Sequence, residues 1–123
     1  MTHWTWDQSR GCMLRPDGSL LGGGYSGKGS GLNNPAKQYI PRVGPIPQGR
    51  YRIEAPRTSA RTGRYAMPLT PLPGTDTKGR AFFQMHGDNA KGNRSASSGC
   101  IILPMALRQA IWASGVRELV VVA

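Results

Sequence analysis

Short apolar stretches alternate with polar, glycine- and proline-rich connections along the chain, a spacing that belongs to strands more than to helices. Residues 11–14 and 19–21 flank Pro16-Asp17-Gly18. Pro presets φ and Gly accepts φ > 0, so the two stretches read as a hairpin. Residues 22–35 are mostly Gly, Ser and Asn, with Tyr25 and Lys28 set among them. They read as a loop of about a dozen residues, a length that in a small domain often carries function. Beyond the turn Val43-Gly44-Pro45-Ile46-Pro47-Gln48-Gly49, the alternation Tyr51, Ile53, Ala55 predicts a strand with one buried face. Residues 57–62 read as polar loop, 64–69 as a strand and 71–79 as a turn-rich loop. Residues 81–86 read as a clear strand that delivers His86 at its end. Residues 87–98 are polar loop, and 99–103 resume apolar character.

One helix is expected, over 104–114. Pro104 suits the first helical position and Gly115 the position after the end. Leu107, Ala110 and Ile111 share a face at helical spacing and are assigned to the core. Residues 118–123 read as a short, buried last strand. Trp4, Trp6 and Trp112 read as packing residues, Cys12 as a small buried hydrophobe and His3 as inert. There is no internal repeat. The fold class is mainly β, with one short helix near the C-terminus.

A length of 123 residues makes one domain, residues 1–123. Apolar residues make up 38% and Gly and Pro number 17 and 10, which fits a turn-rich β domain. No apolar run reaches 18 residues, so no transmembrane segment is expected. The first seven residues lack the basic start and apolar stretch of a signal peptide, so the chain reads as made in the cytoplasm unless another route exports it. The net charge of +10 implies attraction to polyanions, but the 16 basic residues are spread over the whole chain and mark no dedicated nucleic-acid site. Two cysteines, Cys12 and Cys100, make no disulfide framework.

Few residues can do chemistry. The six acidic residues form no closely spaced pair, which argues against a two-carboxylate glycosidase. No Cys-x-x-Cys or His-Glu-x-x-His spacing is present, so no metal is expected. Gly22, Gly24 and Gly27 match G-x-G-x-x-G, but no helix follows to supply the amide cradle that holds phosphate, so nucleotide binding is rejected and no cofactor is expected. Met85-His86-Gly87 and Ser97-Ser98-Gly99-Cys100 remain. A thiol needs a base to ionise near neutral pH, and the loop between these segments is long enough to bring His86 to Cys100. Ser98 and Gly99 are small enough for backbone amides to face a substrate oxyanion. On these residues alone, a lone buried cysteine and an internally satisfied histidine remain the commoner arrangement.

His86-Gly87, a polar spacer and Ser97-Ser98-Gly99-Cys100 resemble the active-site signature of YkuD-type L,D-transpeptidases, in which a His-Gly precedes Ser/Thr-His-Gly-Cys. The chain departs from it at Ser98, where those enzymes carry a second His. It is more similar to the compact L,D-transpeptidase effectors delivered by type VI secretion, whose Ser-x-Gly-Cys dispenses with that His. Two further segments agree: Gly24-Tyr25-Ser26-Gly27-Lys28-Gly29-Ser30-Gly31-Leu32-Asn33-Asn34-Pro35, and Gly44-Pro45-Ile46-Pro47-Gln48-Gly49-Arg50-Tyr51-Arg52-Ile53. The resemblance covers roughly residues 5–122.

The resemblance implies a YkuD-like β-sandwich or mixed sheet. It implies Cys100 as nucleophile, His86 as base, and backbone at Gly87, Ser98 and Gly99 around an oxyanion. Tyr25, Ser26, Lys28, Asn33, Asn34, Arg80, Arg94 and Ser97 become candidates for the stem-peptide groove, though Tyr25, Ser26, Asn33 and Asn34 serve equally to pin their loop. Asp88 could orient His86, but is better read as solvated; a backbone carbonyl could serve instead, and the orienting group stays open. The implied substrates are peptidoglycan stem peptides and D-amino acids. The implied partners are a cognate immunity protein and a component of the secretion apparatus, with no nucleic acid. The implied form is a monomer acting in the periplasm of a target bacterium. The alternative is a non-catalytic basic protein that binds nucleic acid or an anionic wall polymer.

Overall fold

The computed structural model describes residues 2–89, 92 and 94–123. Its strands are β1 (Trp4–Asp7), β2 (Cys12–Leu14), β3 (Leu20–Gly23), β4 (Tyr25–Ser26), β5 (Gly49–Ile53), β6 (Arg57–Ser59), β7 (Gly63–Pro71), β8 (Phe83–His86), β9 (Ile101–Ile102) and β10 (Glu118–Val122). The single α-helix, α1, is Met105–Ala113. The main sheet runs β3-β2-β1-β10-β5-β7-β8-β9-β4, and β6 pairs only with β7. It is mixed: β1–β10 and β8–β9 are parallel, and the other pairs are antiparallel. The mainly β class with one helix near the C-terminus is thus observed.

Period-two burial explains the strands. On β1 Trp4 and Trp6 are buried, on β5 Tyr51 and Ile53, and on β10 Leu119 and Val121. These side chains meet Met13, Met67, Met85, Ile101, Leu103 and Ile111 in one core. The hairpin around Pro16-Asp17-Gly18 forms as expected, closed by Arg15 and Ser19. The last strand is central, between β1 and β5, which is why it is apolar on one face throughout.

Several expectations change. No strand was expected specifically over Trp4–Asp7, which supplies two core tryptophans. The stretch 22–35, expected as loop, holds the end of β3, all of β4, the 3₁₀ turn Gly29–Gly31 and the first residue of a second, Pro35–Lys37. The expected polar loop at 57–62 contains β6, whose polar residues fit a strand because it pairs at the margin and stays exposed. Ala55 lies beyond β5 and is exposed. In α1, Ile111 is buried, but Ala110 is exposed and Arg108 takes a buried place. Pro104 stands at the N-cap, one position earlier than expected. Trp112 lies half-buried under the Arg117 guanidinium, whose centre is 3.3 Å from the ring centroid. Cys12 is half-buried and unbridged, less enclosed than a core hydrophobe.

Candidate active site

The β8–β9 ladder aligns Met85 with Ile101 and His86 with Ile102. Side chains alternate across a sheet, so Phe83, Met85 and Ile101 enter the core. Gln84, His86 and Cys100 therefore share the opposite face, with Cys100 diagonal to His86. Both line one cleft of about 750 Å³. The resemblance paired these two residues; the parallel register carries both to the cleft on neighbouring strands.

His86 is 4% exposed. Its Nδ1 lies 2.8 Å from the Gly87 carbonyl, which can only accept, so Nδ1 carries the proton and Nε2 of a neutral ring keeps its lone pair. Burial pushes the imidazole pKa below its ordinary 6.5. Arg108 and Arg61 add to that, while the Gly87 contact and Asp88 oppose it. The ring is therefore neutral at neutral pH. Burial also raises the Cys100 pKa, against the Gln84 backbone, Arg61 and Arg80. The resting pair is thiol and neutral imidazole. Among the described residues, the thiol's hydrogen-bond acceptor is the Phe82 carbonyl, 3.9 Å away. Phe82 itself is held at φ 65° with its ring almost fully exposed at the rim of the cleft.

The turn before Cys100 is tightly built. Ser97 is fully buried; its Oγ donates to the Cys100 carbonyl at 2.6 Å and accepts from Gly99 N at 3.1 Å and Gly27 N at 2.9 Å. Arg80, also buried, donates to the carbonyls of Gln38 (2.6 Å), Pro45 (2.8 Å), Gly44 (3.0 Å) and Ser98 (3.1 Å). Gly99 sits at φ 127°, a region essentially restricted to glycine, and a methyl there would strike Arg80 Nη2. The small residue before the cysteine thus admits the guanidinium that ties the turn to the 38–45 segment.

The structure sorts the remaining candidates. Ser98 and Gly99 line the cleft with Cys100 and His86, and Gly87 supplies the carbonyl that orients the imidazole. Arg80 lines it too, but its donors are engaged by carbonyls. Ser97 is scaffold, because its hydroxyl is buried and bonded on three sides. Ser26 is equally enclosed: its Oγ accepts from Ile46 N at 2.9 Å, and Asn33 Oδ1 accepts from its backbone N at 3.0 Å. Asn34 folds its own loop, accepting from Ala36 N and donating to the Ser30 carbonyl. Tyr25 is buried, donating to Asp88 at 2.7 Å and accepting from Ala96 N at 3.1 Å, so Asp88 partners Tyr25 while the Gly87 carbonyl orients His86. Desolvation and Asp88 push the Tyr25 pKa to about 12. Lys28 lies outside the cleft, and Arg94 lines a second cavity of about 500 Å³ with Arg10, Asn33 and Tyr25. Pinning of the loop, the other reading of Tyr25, Ser26, Asn33 and Asn34, matches these contacts.

Some site residues were missed. Gln84 faces Cys100 and was findable, since it lies two positions before His86 on the same strand. Arg42, Arg57 and Arg61 reach the cleft from distant segments and carried no local signal. Among the described residues no group of three or more His, Cys, Asp or Glu could hold a metal. Among the described residues no helix is long and apolar enough to cross a membrane.

Comparison with curated proteins and with solved structures found no match. The family model of the Tlde1 domain matches residues 22–122, beginning later than the resemblance, so β1 and the strand β2 precede it. That family consists of antibacterial type VI secretion effectors that modify peptidoglycan. With its matched segment spanning the cleft, the nucleophile turn and the histidine strand, the chain belongs to the Tlde1 domain family, the type VI secretion L,D-transpeptidase effectors.

Proposed function

We propose that this protein is a cysteine L,D-carboxypeptidase and L,D-transpeptidase that acts on peptidoglycan tetrapeptide stems. The observation that carries the reading is the β8–β9 register, which sets Cys100 and a neutral, Nδ1-protonated His86 on one face of one cleft. In this reading the thiol leaves the Phe82 carbonyl and gives its proton to His86 Nε2. The sulfur attacks the carbonyl of the diaminopimelate residue that precedes D-Ala. Since the Gly99 N–H already serves Ser97, the amides of Ser98 and Cys100 face the oxyanion. His86 then protonates the departing D-Ala amine, and a thioester remains. Water releases a trimmed stem and regenerates the thiol; a D-amino acid amine gives exchange, and a second stem gives a cross-link. Trimmed or exchanged stems no longer donate cross-links, which weakens the wall of a target cell from its periplasm.

A non-catalytic basic binder would need neither the neutral imidazole nor the half-buried thiol in its cleft. The deciding experiment is mass spectrometry of purified tetrapeptide stems after incubation with the protein and with Cys100→Ala. Loss of D-Ala with the former and intact stems with the latter is expected. Intact stems with both would overturn the reading.

A further inference from the structure

Arg42, Arg57, Arg61 and Arg80 all line the cleft that holds Cys100 and His86, and no Asp or Glu lines it. Arg80 is buried and engaged by carbonyls, whereas the other three are exposed. Among the described residues their guanidinium groups have no hydrogen-bond or carboxylate partner. The ion pairs lie elsewhere, at Arg10–Asp7, Arg50–Glu118 and Lys78–Asp76. A single exposed arginine is an ordinary solvated charge. Here three converge on one concavity from three parts of the chain: the loop before β5, strand β6 and the β6–β7 turn.

The convergence is anchored. Thr62 Oγ1 donates to Gln84 Oε1 at 2.9 Å, which fixes the β6–β7 turn over the face of β8 that carries His86. The charge of Arg61 is felt by both the thiol and the imidazole, so it stands within reach of the reacting groups. Arg42 is held at φ 64°, a conformation that persists in a non-glycine residue only where its surroundings impose it.

We propose that Arg42, Arg57 and Arg61 form a multivalent carboxylate-binding subsite, which selects short acidic peptides carrying two or more carboxylates around the bond presented to Cys100. The proposal names the substrate class of the peptidase reading and rests on it. The planar guanidinium fork matches a carboxylate in bidentate fashion. A tetrapeptide stem offers free carboxylates on its γ-linked D-Glu, on diaminopimelate and on the terminal D-Ala. The competing occupant is a nucleic acid. The cleft disfavours it: the arginines line one concavity of about 750 Å³, the size of a small-ligand site, and not a long groove that tracks a phosphate backbone. Amidation of stem carboxylates would then protect a wall without altering the scissile bond.

The test uses Cys100→Ala, which keeps the cleft and stops turnover. Calorimetric titration compares the free-acid tetrapeptide with the same peptide amidated on D-Glu and diaminopimelate. Amidation should weaken binding about tenfold, each exposed charge pair contributing roughly three- to fivefold. Adding Arg57→Met and Arg61→Met should cost about tenfold for the free acid and erase the preference. Arg10→Met with Arg15→Met removes the same charge at the β1–β2–β3 end of the sheet, outside the cleft, and should change affinity less than about twofold. The amidation comparison needs no arginine variant, so it stands even if one folds poorly. Equal affinity for the two peptides, no binding of either, or equally tight binding of oligothymidylate would overturn the proposal. D-Ala release by the unmodified protein is read separately. Arginine-dependent binding without release would refute the cysteine chemistry and leave the subsite standing; release with arginine-independent binding would do the reverse.

Discussion

Replacing Arg80 should separate its scaffolding from its charge. The guanidinium donates to four carbonyls, two of them, Gly44 and Pro45, at buried bonds and two, Gln38 and Ser98, at partly buried ones. A hydrogen bond to a charged group contributes about 1.5–3 kcal/mol, and a buried acceptor left alone costs about 1–3 kcal/mol. Full loss at the two buried carbonyls, with water replacing the outer pair, gives roughly 3–5 kcal/mol for Arg80→Met. Relief from desolvating the guanidinium, whose pKa burial lowers, offsets part of this. For a chain of this length about 4 kcal/mol lowers Tm by roughly 15 °C. Arg80→Lys keeps the charge but has three donors and no planar fork, so it should recover less than half of the loss. The assay is thermal unfolding followed by circular dichroism, with D-Ala release measured well below Tm. Release should fall in both variants, because the Ser98 carbonyl and the turn before Cys100 come loose. An Arg80→Met protein that melts within about 3 °C of the unsubstituted one would refute this account. So would full recovery by Arg80→Lys, which would make charge alone the cause.

Three further outcomes are expected. Protonation removes the lone pair of His86 Nε2 and burial lowers its pKa, so kcat/KM should be complete near neutral pH and fall as pH drops through a midpoint below 6.5. Arg61→Met, which removes a charge that holds that pKa down, should move the midpoint upward; the pH profile of D-Ala release reads both. His86→Ala should cost roughly 100- to 10,000-fold in D-Ala release, whereas Ser98→Ala should cost about fivefold, or about 1 kcal/mol for a lost neutral hydrogen bond. The reverse order would assign the base elsewhere. Ser97→Ala strands buried partners at Cys100, Gly99 and Gly27, and should lower stability by about 2–4 kcal/mol in denaturant titration.

Local and tertiary information divide cleanly in this protein. Turn chemistry at Pro16-Asp17-Gly18, the alternation on 51–53 and the helix limits near Pro104 and Gly115 could be read from the chain, because each depends on neighbours a few residues away. His86 at a strand end and Cys100 after a small-residue turn were legible for the same reason. Strand β6 was not, since its polar residues are tolerated only because it pairs at the margin of β7. The buried roles of Ser97, Ser26 and Arg80 were equally hidden. A hydroxyl or guanidinium looks available for substrate until the fold brings carbonyls and amides from distant segments to it. The charge pattern shows the limit most plainly. The sequence by itself determined a strongly basic chain with its arginines spread from end to end. Only the tertiary structure decided that Arg42, Arg57 and Arg61 face the cleft of Cys100 while acidic residues pair elsewhere, because strand pairing, and not position along the chain, sets which charges share a concavity.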